Sequence, residues 1–267
     1  MNSNKIHSCH LGPEISPEQF ISEHFFLYLL DGSMIAYDGQ NTYTIQPGDP
    51  LIARKNHLIR YTKHKNNGVF RKVVITLDKP FLVNFLERHP IDVYSTQNTN
   101  SLLFLPDSTL LQSYIKSLEP YYTQQEEIEK GFEDVKREEL LLILLKTTPE
   151  LKDILFNFAI PDKIDMEEFM NRNFRFNVSL DRFAYMTGRS LSTFKRDFQK
   201  IFGSTPGTWL TRKRLEEAYF RIKTEGAKPS DIYYDLGFED FSHFSFAFRK
   251  QFGIRPTELL QHSASIR

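Results

Sequence analysis

The sequence predicts an α+β protein with a small N-terminal β-barrel over residues 1–100, a helical linker over 101–158 and an all-α C-terminal domain over 159–267. Three observations support this prediction. Short β-rich runs broken by turn residues fill the first hundred residues, helical spacing of apolar residues follows, and one phrase of nineteen residues occurs twice near the end.

The first hundred residues alternate strand-like runs with turn signals. Turns are predicted at Asp31-Gly32, at Asp38-Gly39 and over Gln46–Asp49, and Phe70–Leu77 is a further predicted strand. Strands of this length at this spacing are typical of a small antiparallel barrel or sandwich.

The middle of the chain reads as helical. From Leu110 to Phe158 apolar residues recur every three or four positions, with a break at Pro149. The segment Val135–Lys146 is apolar on nearly every side. We therefore expect it to be buried, either inside the fold or against a partner chain.

Composition limits the class of protein. Apolar residues make up 40% of the 267, enough for a packed core, and the single cysteine, Cys9, excludes an internal disulfide and favours a reducing compartment. The N-terminus has no apolar core typical of a secretory signal, and the longest apolar runs are far shorter than the roughly 20 residues that span a membrane. These features predict a cytoplasmic protein with no membrane partner.

Charge is distributed unevenly. Residues 170–267 contain 17 Lys and Arg against 10 Asp and Glu, a net charge of +7, and the net charge of zero for the whole chain leaves −7 for the remainder. A basic C-terminal third suggests an anionic partner for that third. Ordinary fluctuation in surface charge is the alternative interpretation.

The repeated phrase is the most specific feature of the sequence. STFKRDFQKIFGSTPGTWL at 192–210 recurs as SHFSFAFRKQFGIRPTELL at 242–260, with eight of nineteen positions identical. In each copy three phenylalanines share one helical stripe, and Gly and then Pro mark the end of that helix and the start of the next. The solvent side of the first copy carries Ser192, Arg196 and Gln199, with Lys195 at its flank. Such groups suit base edges and phosphates.

A short helix and a glycine-containing turn precede each copy, which is the helix-turn-helix pattern. The first is SLDRFAYMTGR at 179–189, and the second begins near Pro229 and turns at Gly237. A long helix over 206–226 joins the two units. Two such helices on one linker would face two successive major grooves, about 34 Å apart on one side of a duplex.

The segments GRSLSTFKRDFQKIFGSTPGTWLTRKRLEEA and IYYDLGFEDFSHFSFAFRKQFGIRPTEL resemble the double helix-turn-helix domain of AraC/XylS-type transcription regulators. The resemblance covers about 174–260, and residues 1–100 are more weakly similar to the cupin-like sensing domain that many members carry. It implies a sequence-specific regulator that binds double-stranded DNA. Members often activate transcription by contacting RNA polymerase.

The resemblance also implies which side chains meet DNA. The first helix would use Ser192, Thr193, Lys195, Arg196 and Gln199, with Arg196 best suited to a bidentate contact with guanine. The second helix would use Phe241, Ser242, Ser245, Phe246 and Arg249. Phosphate contacts are expected from Arg212, Lys213 and Arg214, and also from Arg249, with solvated helix charges as the alternative. Many members have a basic residue where this chain has Phe246, which would touch a thymine methyl or lie against the DNA backbone.

The role of the N-terminal domain is less defined. The chain has eight His but no His-x-His pair, so we expect no metal, no cofactor and no enzymatic activity. A small barrel can hold one small effector. By residue type the lining candidates are Tyr28, Tyr37, Arg54, His57 and Tyr61. Two alternatives are an effector-independent DNA-binding protein whose N-terminal domain only forms a homodimer, and a cupin enzyme with an accessory helical domain.

Overall fold

The computed structural model describes residues 6–9, 19–94, 100–122, 128–129, 131–159 and 161–264. By its internal contacts the chain divides into two compact units, Met1–Ile160 and Pro161–Arg267. Most of the N-terminal stretch in which we looked for a secretory signal, residues 1–5 and 10–18, lies outside the described residues.

The described part of the N-terminal unit contains strands that pair throughout in antiparallel fashion. They are β1 Ile6–Cys9, β2 Phe20–Ile21, β3 His24–Asp31, β4 Ser33–Tyr37, β5 Thr42–Ile45, β6 Pro50–Ala53, β7 His57–Leu58, β8 Arg60–His64, β9 Arg71–Leu77 and β10 Leu102–Phe104. The order β1-β9-β3-β6-β10 forms a five-stranded sheet, β5-β4-β8 forms a three-stranded sheet, and β2 pairs with β7.

The α+β class is confirmed, but the predicted closed barrel is wrong, because the described strands form open sheets. The pairing of β3 with β9 shifts register between Leu29 and Asp31, and the turn that follows has Gly32 at a φ of 82°. The Asp31 carboxylate accepts the Gly32 N–H at 2.7 Å and holds this turn. The irregularity directs the chain out of the five-stranded sheet. As a result, β4 pairs with β5 and β8 and does not pair with β3.

Strand β3 contributes to two separate cores, because successive side chains of a strand point to opposite faces. Phe26 belongs to a helix-side cluster, which includes Ile6, Ile75, Phe85, Leu111, Tyr114, Leu140 and Leu144. Leu27 and Leu29 belong to an inter-sheet cluster, which includes Met34, Ala36, Ile45, Leu51, Ile59, Phe70 and Leu102. The five-stranded sheet is therefore apolar on both faces.

Four helices complete the described part of this unit: α1 Lys79–Arg88, α2 Thr109–Ser117, α3 Glu133–Thr147 and α4 Lys152–Leu155. Their apolar residues pack in the helix-side cluster, and β10 extends the sheet by pairing with β6. The predicted linker over 101–158 is therefore an integral layer of the N-terminal unit, because its apolar stripes are buried against the sheet.

Helix α3 is covered on one side only. Leu140, Leu141 and Leu144 are buried, whereas Val135 is 62% exposed and Leu142 is 46% exposed. The expectation that nearly every side would be buried inside the fold is therefore wrong for the side of α3 that carries Val135 and Leu142.

A fully buried arginine anchors α3 to the sheet. The Arg137 guanidinium donates to the Thr76 carbonyl and to the carboxylates of Asp78 and Asp134, each at 2.8 Å. It also lies 4.0 Å from the centre of the Phe81 ring. A buried charge persists only when it is paired and hydrogen-bonded, so this network fixes α3 against the end of β9 and the start of α1.

All regular secondary structure in the described part of the C-terminal unit is helical. Its helices are α5 Met166–Asn173, α6 Leu180–Met186, α7 Leu191–Phe202, α8 Pro206–Phe220, α9 Pro229–Ile232, α10 Phe241–Phe252 and α11 Pro256–Ala264. A π-helical turn, Arg221–Glu225, continues α8. The two helix-turn-helix units are α6–α7 and α9–α10, and α8 joins them.

The repeated phrase folds the same way in both copies. Ser190 caps α7 by accepting the Thr193 N–H, and Asp240 caps α10 by accepting the His243 N–H. Gly203 and Gly253 end the two helices in the left-handed conformation, with φ of 65° and 77°. Local sequence therefore fixes where both helices begin and end.

Candidate DNA interface

The inner face of α7 is aromatic and largely covered. Phe194 and Phe198 are fully buried, and Phe202 packs on Trp209 with 4.7 Å between ring centres. Trp209 also meets the Phe198 ring edge-on at 5.6 Å. Because this stripe faces the interior, the opposite side of α7 faces solvent.

The outer face of α7 carries the polar groups that the sequence predicted. Ser192, Lys195, Arg196 and Gln199 are exposed, and the Arg196 side chain is 66% exposed. Arg196 Nε lies 3.6 Å from the adjacent Asp197 carboxylate, a weak contact that leaves the guanidinium available.

Thr193 plays a different part from these four residues. It is half-buried, its N–H donates to Ser190 Oγ, and its hydroxyl lies 3.0 Å from the same oxygen. These bonds place Thr193 in the cap of α7, at the edge of the exposed face.

Helix α10 has the same inner face and a different outer one. Phe244 and Phe248 are fully buried, while Ser242, Phe246 and Arg249 are exposed. Phe246 is 71% exposed, although a phenyl ring gains free energy when it leaves water. An exposed ring on a helix of this kind is suited to contact with a partner.

The two remaining candidates on α10 are less accessible. Ser245 is half-buried. Phe241 is half-buried too, and its ring meets Tyr233 edge-on at 5.6 Å and lies 5.9 Å from Phe244. Phe241 therefore packs at the start of α10, and its predicted base contact stays a prediction.

The predicted phosphate contacts on α8 separate into accessible and inaccessible residues. Arg212 is exposed, with its Nε 3.8 Å from Glu216, and Lys213 is half-buried. Arg214 does not fit the prediction. Its guanidinium donates to the carbonyls of Phe174, Phe176 and Gly237, and burial lowers its pKa to about 10. Each of its three nitrogen atoms donates to a backbone carbonyl, so the predicted phosphate contact by Arg214 is wrong.

Two exposed cations on α7 and α10 were not among the predicted DNA contacts. Lys200 and Lys250 occupy equivalent positions near the ends of α7 and α10, and both are exposed. The repeat itself contained the signal, because a Lys at the same position of both copies is one of its eight identities.

The predicted effector residues do not lie together. Tyr28 packs against the helix-side cluster, and Tyr61 packs against the inter-sheet cluster, on the opposite face of the five-stranded sheet. The Tyr37 hydroxyl donates to the Gly39 carbonyl at 2.9 Å, and the Arg60 guanidinium lies 5.3 Å from the Tyr37 ring centre.

The other two effector candidates are engaged locally. Arg54 donates to the Asn100 carbonyl at 2.9 Å, and His57 Nδ1 lies 2.9 Å from the Lys55 carbonyl. The predicted five-residue pocket is therefore wrong, since residue type alone carries no information about which face of a sheet a side chain occupies.

Within the described ranges no three His, Cys, Asp or Glu side chains are grouped so that they could hold a metal ion. No described helix combines the length and apolar character that crossing a bilayer requires.

Paired helix-turn-helix units with polar outer faces define the class of protein as a DNA-binding transcription regulator. Residues 183–262 match a helix-turn-helix domain, and residues 24–154 match the ExsA N-terminal regulatory domain. The resemblance to AraC-type transcription regulators that was stated from the sequence is confirmed.

Individual relatives align over nearly the whole chain. The HTH-type transcriptional regulator ExsA of Pseudomonas aeruginosa is 23% identical over 98% of this chain and 94% of that protein. The HTH-type transcriptional activator RhaS of Escherichia coli is 27% identical over 92% of this chain and 87% of its own length. Among solved structures, wild-type ToxT from Vibrio cholerae is 16% identical over 97% of each chain, with a TM-score of 0.43.

Proposed function

We propose that this regulator binds one DNA site through α7 and α10, each in its own major groove. The observation that carries the proposal is the repeated construction of the two helices, which bury phenylalanines and expose hydroxyl, amide and cationic groups. Cationic contacts to phosphates supply affinity, and contacts to base edges supply specificity.

Selection of bound duplexes from a random pool with the full-length protein tests this proposal. We expect one enriched site with two elements whose centres lie about one helical turn apart. The unique tryptophan, Trp209, reports in the same samples whether the first helix-turn-helix unit is folded. A pool that stays random while Trp209 fluorescence is native would contradict the proposal.

We also propose that the bound protein activates transcription by contacting RNA polymerase. The support is that the relatives RhaS and VirF are both named transcriptional activators. Transcription in vitro from a promoter that carries the selected site should rise when the protein is added. A fall in transcript would identify a repressor instead. Because a DNA-binding regulator must reach its DNA, the cytoplasm remains our prediction for its location.

A small effector is proposed for the N-terminal unit, at the inter-sheet cluster. Support comes from the Tyr61 hydroxyl, which is buried there and has no hydrogen-bond partner among the described residues. Burial raises the pKa of this hydroxyl, so it stays a neutral donor. A buried donor without a partner costs about 1–3 kcal/mol, which an apolar ligand with one acceptor atom would recover.

Thermal unfolding in the presence of apolar carbonyl and carboxylate compounds tests this assignment. We expect at least one compound to raise the unfolding temperature of the parent protein, and a smaller rise in Tyr61→Phe, which removes only the hydroxyl. No shift with any compound, or equal shifts in both proteins, would favour the alternative of an effector-independent protein whose N-terminal unit only assembles.

Self-association is proposed through α3. Val135 and Leu142 lie at i and i+7, on one side of the helix, and both are exposed. We expect the parent protein to sediment as a dimer and the double variant Val135→Glu, Leu142→Glu as a monomer. Ile35→Glu, an exposed apolar site on β4, is the control. A monomeric parent protein would contradict this proposal.

A further inference from the structure

Arg214 occupies the junction of the two helix-turn-helix units. It lies in α8, and its side chain makes three backbone contacts. Nε donates to the Phe174 carbonyl at 2.7 Å, Nη2 to the Phe176 carbonyl at 2.8 Å, and Nη1 to the Gly237 carbonyl at 2.9 Å. The first two carbonyls belong to the segment that enters the first unit, and the third belongs to the turn of the second unit.

The planar fork of arginine suits this arrangement. A guanidinium presents several N–H donors in fixed relative directions, so three simultaneous bonds hold their three acceptors in one geometry. A lysine at the same place would present one ammonium group and could not span both segments in the same way. Without the guanidinium, the three carbonyl oxygens would lose the donors that it supplies.

Neighbouring contacts close the same junction. Arg175 forms an ion pair with Glu217 of α8, and Asn177 Nδ2 donates to the Glu239 carboxylate at 2.9 Å. Gly237 has no room for a side chain. A Cβ there would lie 2.7 Å from the Arg175 carbonyl oxygen and 2.8 Å from Arg214 Cζ. The entry segment of the first unit, the linker helix and the turn of the second unit therefore meet at close range.

We propose that Arg214 is a positioning residue that locks the two helix-turn-helix units at one separation, so that α7 and α10 meet two successive grooves together. The lock itself is independent of DNA, whereas its consequence for binding rests on the proposed function. When α7 and α10 are held rigidly, the binding of the second helix is an intramolecular step. The affinity for the full DNA site then greatly exceeds the affinity for either half-site. A looser junction would lose this extra affinity, although each helix-turn-helix unit would still be folded.

A distance measurement tests the lock without DNA. Replacing Cys9, the single cysteine, by Ser allows nitroxide labels at Lys200→Cys and Lys250→Cys, which are equivalent exposed positions of α7 and α10. Pulsed electron paramagnetic resonance of the full chain should give a narrow distance distribution, and Arg214→Met should broaden it. Arg212→Met, the same change at an exposed position of α8, should leave it narrow. An unchanged distribution in Arg214→Met would overturn the proposal.

DNA binding supplies the second readout, once a site has been selected. On the full site Arg214→Met should bind about tenfold or more weakly than the parent, with half-site affinity within about twofold. A one-base-pair insertion between the elements should weaken the parent more than the variant. Equal losses on full and half sites, or full-site affinity equal to the parent, would overturn the proposal.

Folding is controlled in every sample through Trp209 fluorescence. If Arg214→Met does not fold, Arg214→Lys takes its place, because it keeps the charge and the stem but not the fork, and both readouts apply to it unchanged. Failure of the proposed function is distinguishable: no DNA site would be selected at all, whereas the distance distributions would still show whether Arg214 locks the units.

Discussion

Helices α7 and α10 share one internal design and differ on the surface they offer to a partner. Each begins at a side-chain cap, buries two phenylalanines completely and ends at a left-handed glycine. Their outer faces have different chemistry. α7 has Lys195 and Arg196 in its middle, whereas the cations of α10, Arg249 and Lys250, lie in its last turn.

The first turn of α10 is also distinct. Glu239 and Asp240 are exposed at its start, where α7 has Ser190, and Phe246 projects from its centre. Core positions are constrained by packing, so they stay alike after a duplication, while outer positions can diverge to suit different DNA. From this difference we expect α7 to make charged contacts with base edges and α10 to make an apolar contact.

The largest effect is expected from the removal of Arg196, one of the two cations in the middle of α7. Arg196→Ala should weaken binding to the selected site by about 1–3 kcal/mol and relax preference at one base pair, since a bidentate contact to guanine would be lost. Quantitative gel shifts across single-base variants of the site measure both effects.

Arg172→Ala is the matched control, because it removes the same side chain from an exposed position on α5. If the two variants bind equally well, or if Arg196→Ala lowers affinity for every sequence alike, the assignment of α7 as the base-reading helix is wrong.

The caps offer a comparison of the two helices at the level of stability. The Asp240 carboxylate accepts the His243 N–H at 2.6 Å, whereas Ser190 Oγ accepts the Thr193 N–H at 3.3 Å. Each change to Ala should cost about 1 kcal/mol of unfolding free energy, and Asp240→Ala should cost more, because a negative charge also favours the positive end of a helix.

Urea unfolding of the full chain, followed by helical circular dichroism together with Trp209 fluorescence, measures this difference. Thr257→Ala, at an exposed position early in α11, is the control. A larger loss for Ser190→Ala than for Asp240→Ala would contradict the expected ranking.

A smaller effect is expected from the apolar contact of α10. Phe246→Ala should weaken binding by about 0.8 kcal/mol if the ring covers one thymine methyl, the free energy of burying roughly one methylene. Replacing single thymines of the site by deoxyuridine removes only that methyl. One such replacement should weaken the parent and leave Phe246→Ala unchanged. If no replacement distinguishes the two proteins, Phe246 does not contact a thymine methyl.

The smallest expected change concerns phosphate contact. Arg212→Ala should make the negative slope of log affinity against log salt less steep by about 1, for every DNA sequence alike. The reason is that one phosphate contact and its released counterion are lost. Binding titrations at several salt concentrations give the slope. Lys223→Ala, which is exposed beyond α8 in the π-helical turn, is the charge control. An unchanged slope in Arg212→Ala would show that Arg212 does not contact a phosphate.

Much of the C-terminal unit could be predicted because its signals are local. The phenylalanine spacing, the caps and the paired Gly and Pro residues each act within one or two helical turns, and all appear where the sequence placed them. Arg214 shows the limit. On the sequence it is one of three consecutive cations, and its acceptors are backbone carbonyls 23 to 40 positions away, which no side-chain pattern reveals.

The N-terminal unit was harder to predict for the same physical reason. Strand periodicity located the turns, but whether sheets close depends on long-range pairing and on one register shift near Leu29. The five effector candidates do not form one pocket, because the chemical type of a residue does not determine where its side chain packs. Tyr28 and Tyr61 are the same residue type, but Tyr28 packs against the helix-side cluster and Tyr61 against the inter-sheet cluster.

The π-helical turn Arg221–Glu225, placed just before the second unit, has an evolutionary consequence. Such a turn accommodates one residue more than an α-helical turn, and each residue rotates a helix by about 100°. Deleting a single residue there would change the orientation of the second unit relative to the first, while the residues of α7 and α10 stay the same. A single insertion or deletion at this turn would therefore change the relative placement of the two DNA elements that the protein recognises. Neither recognition surface would be altered.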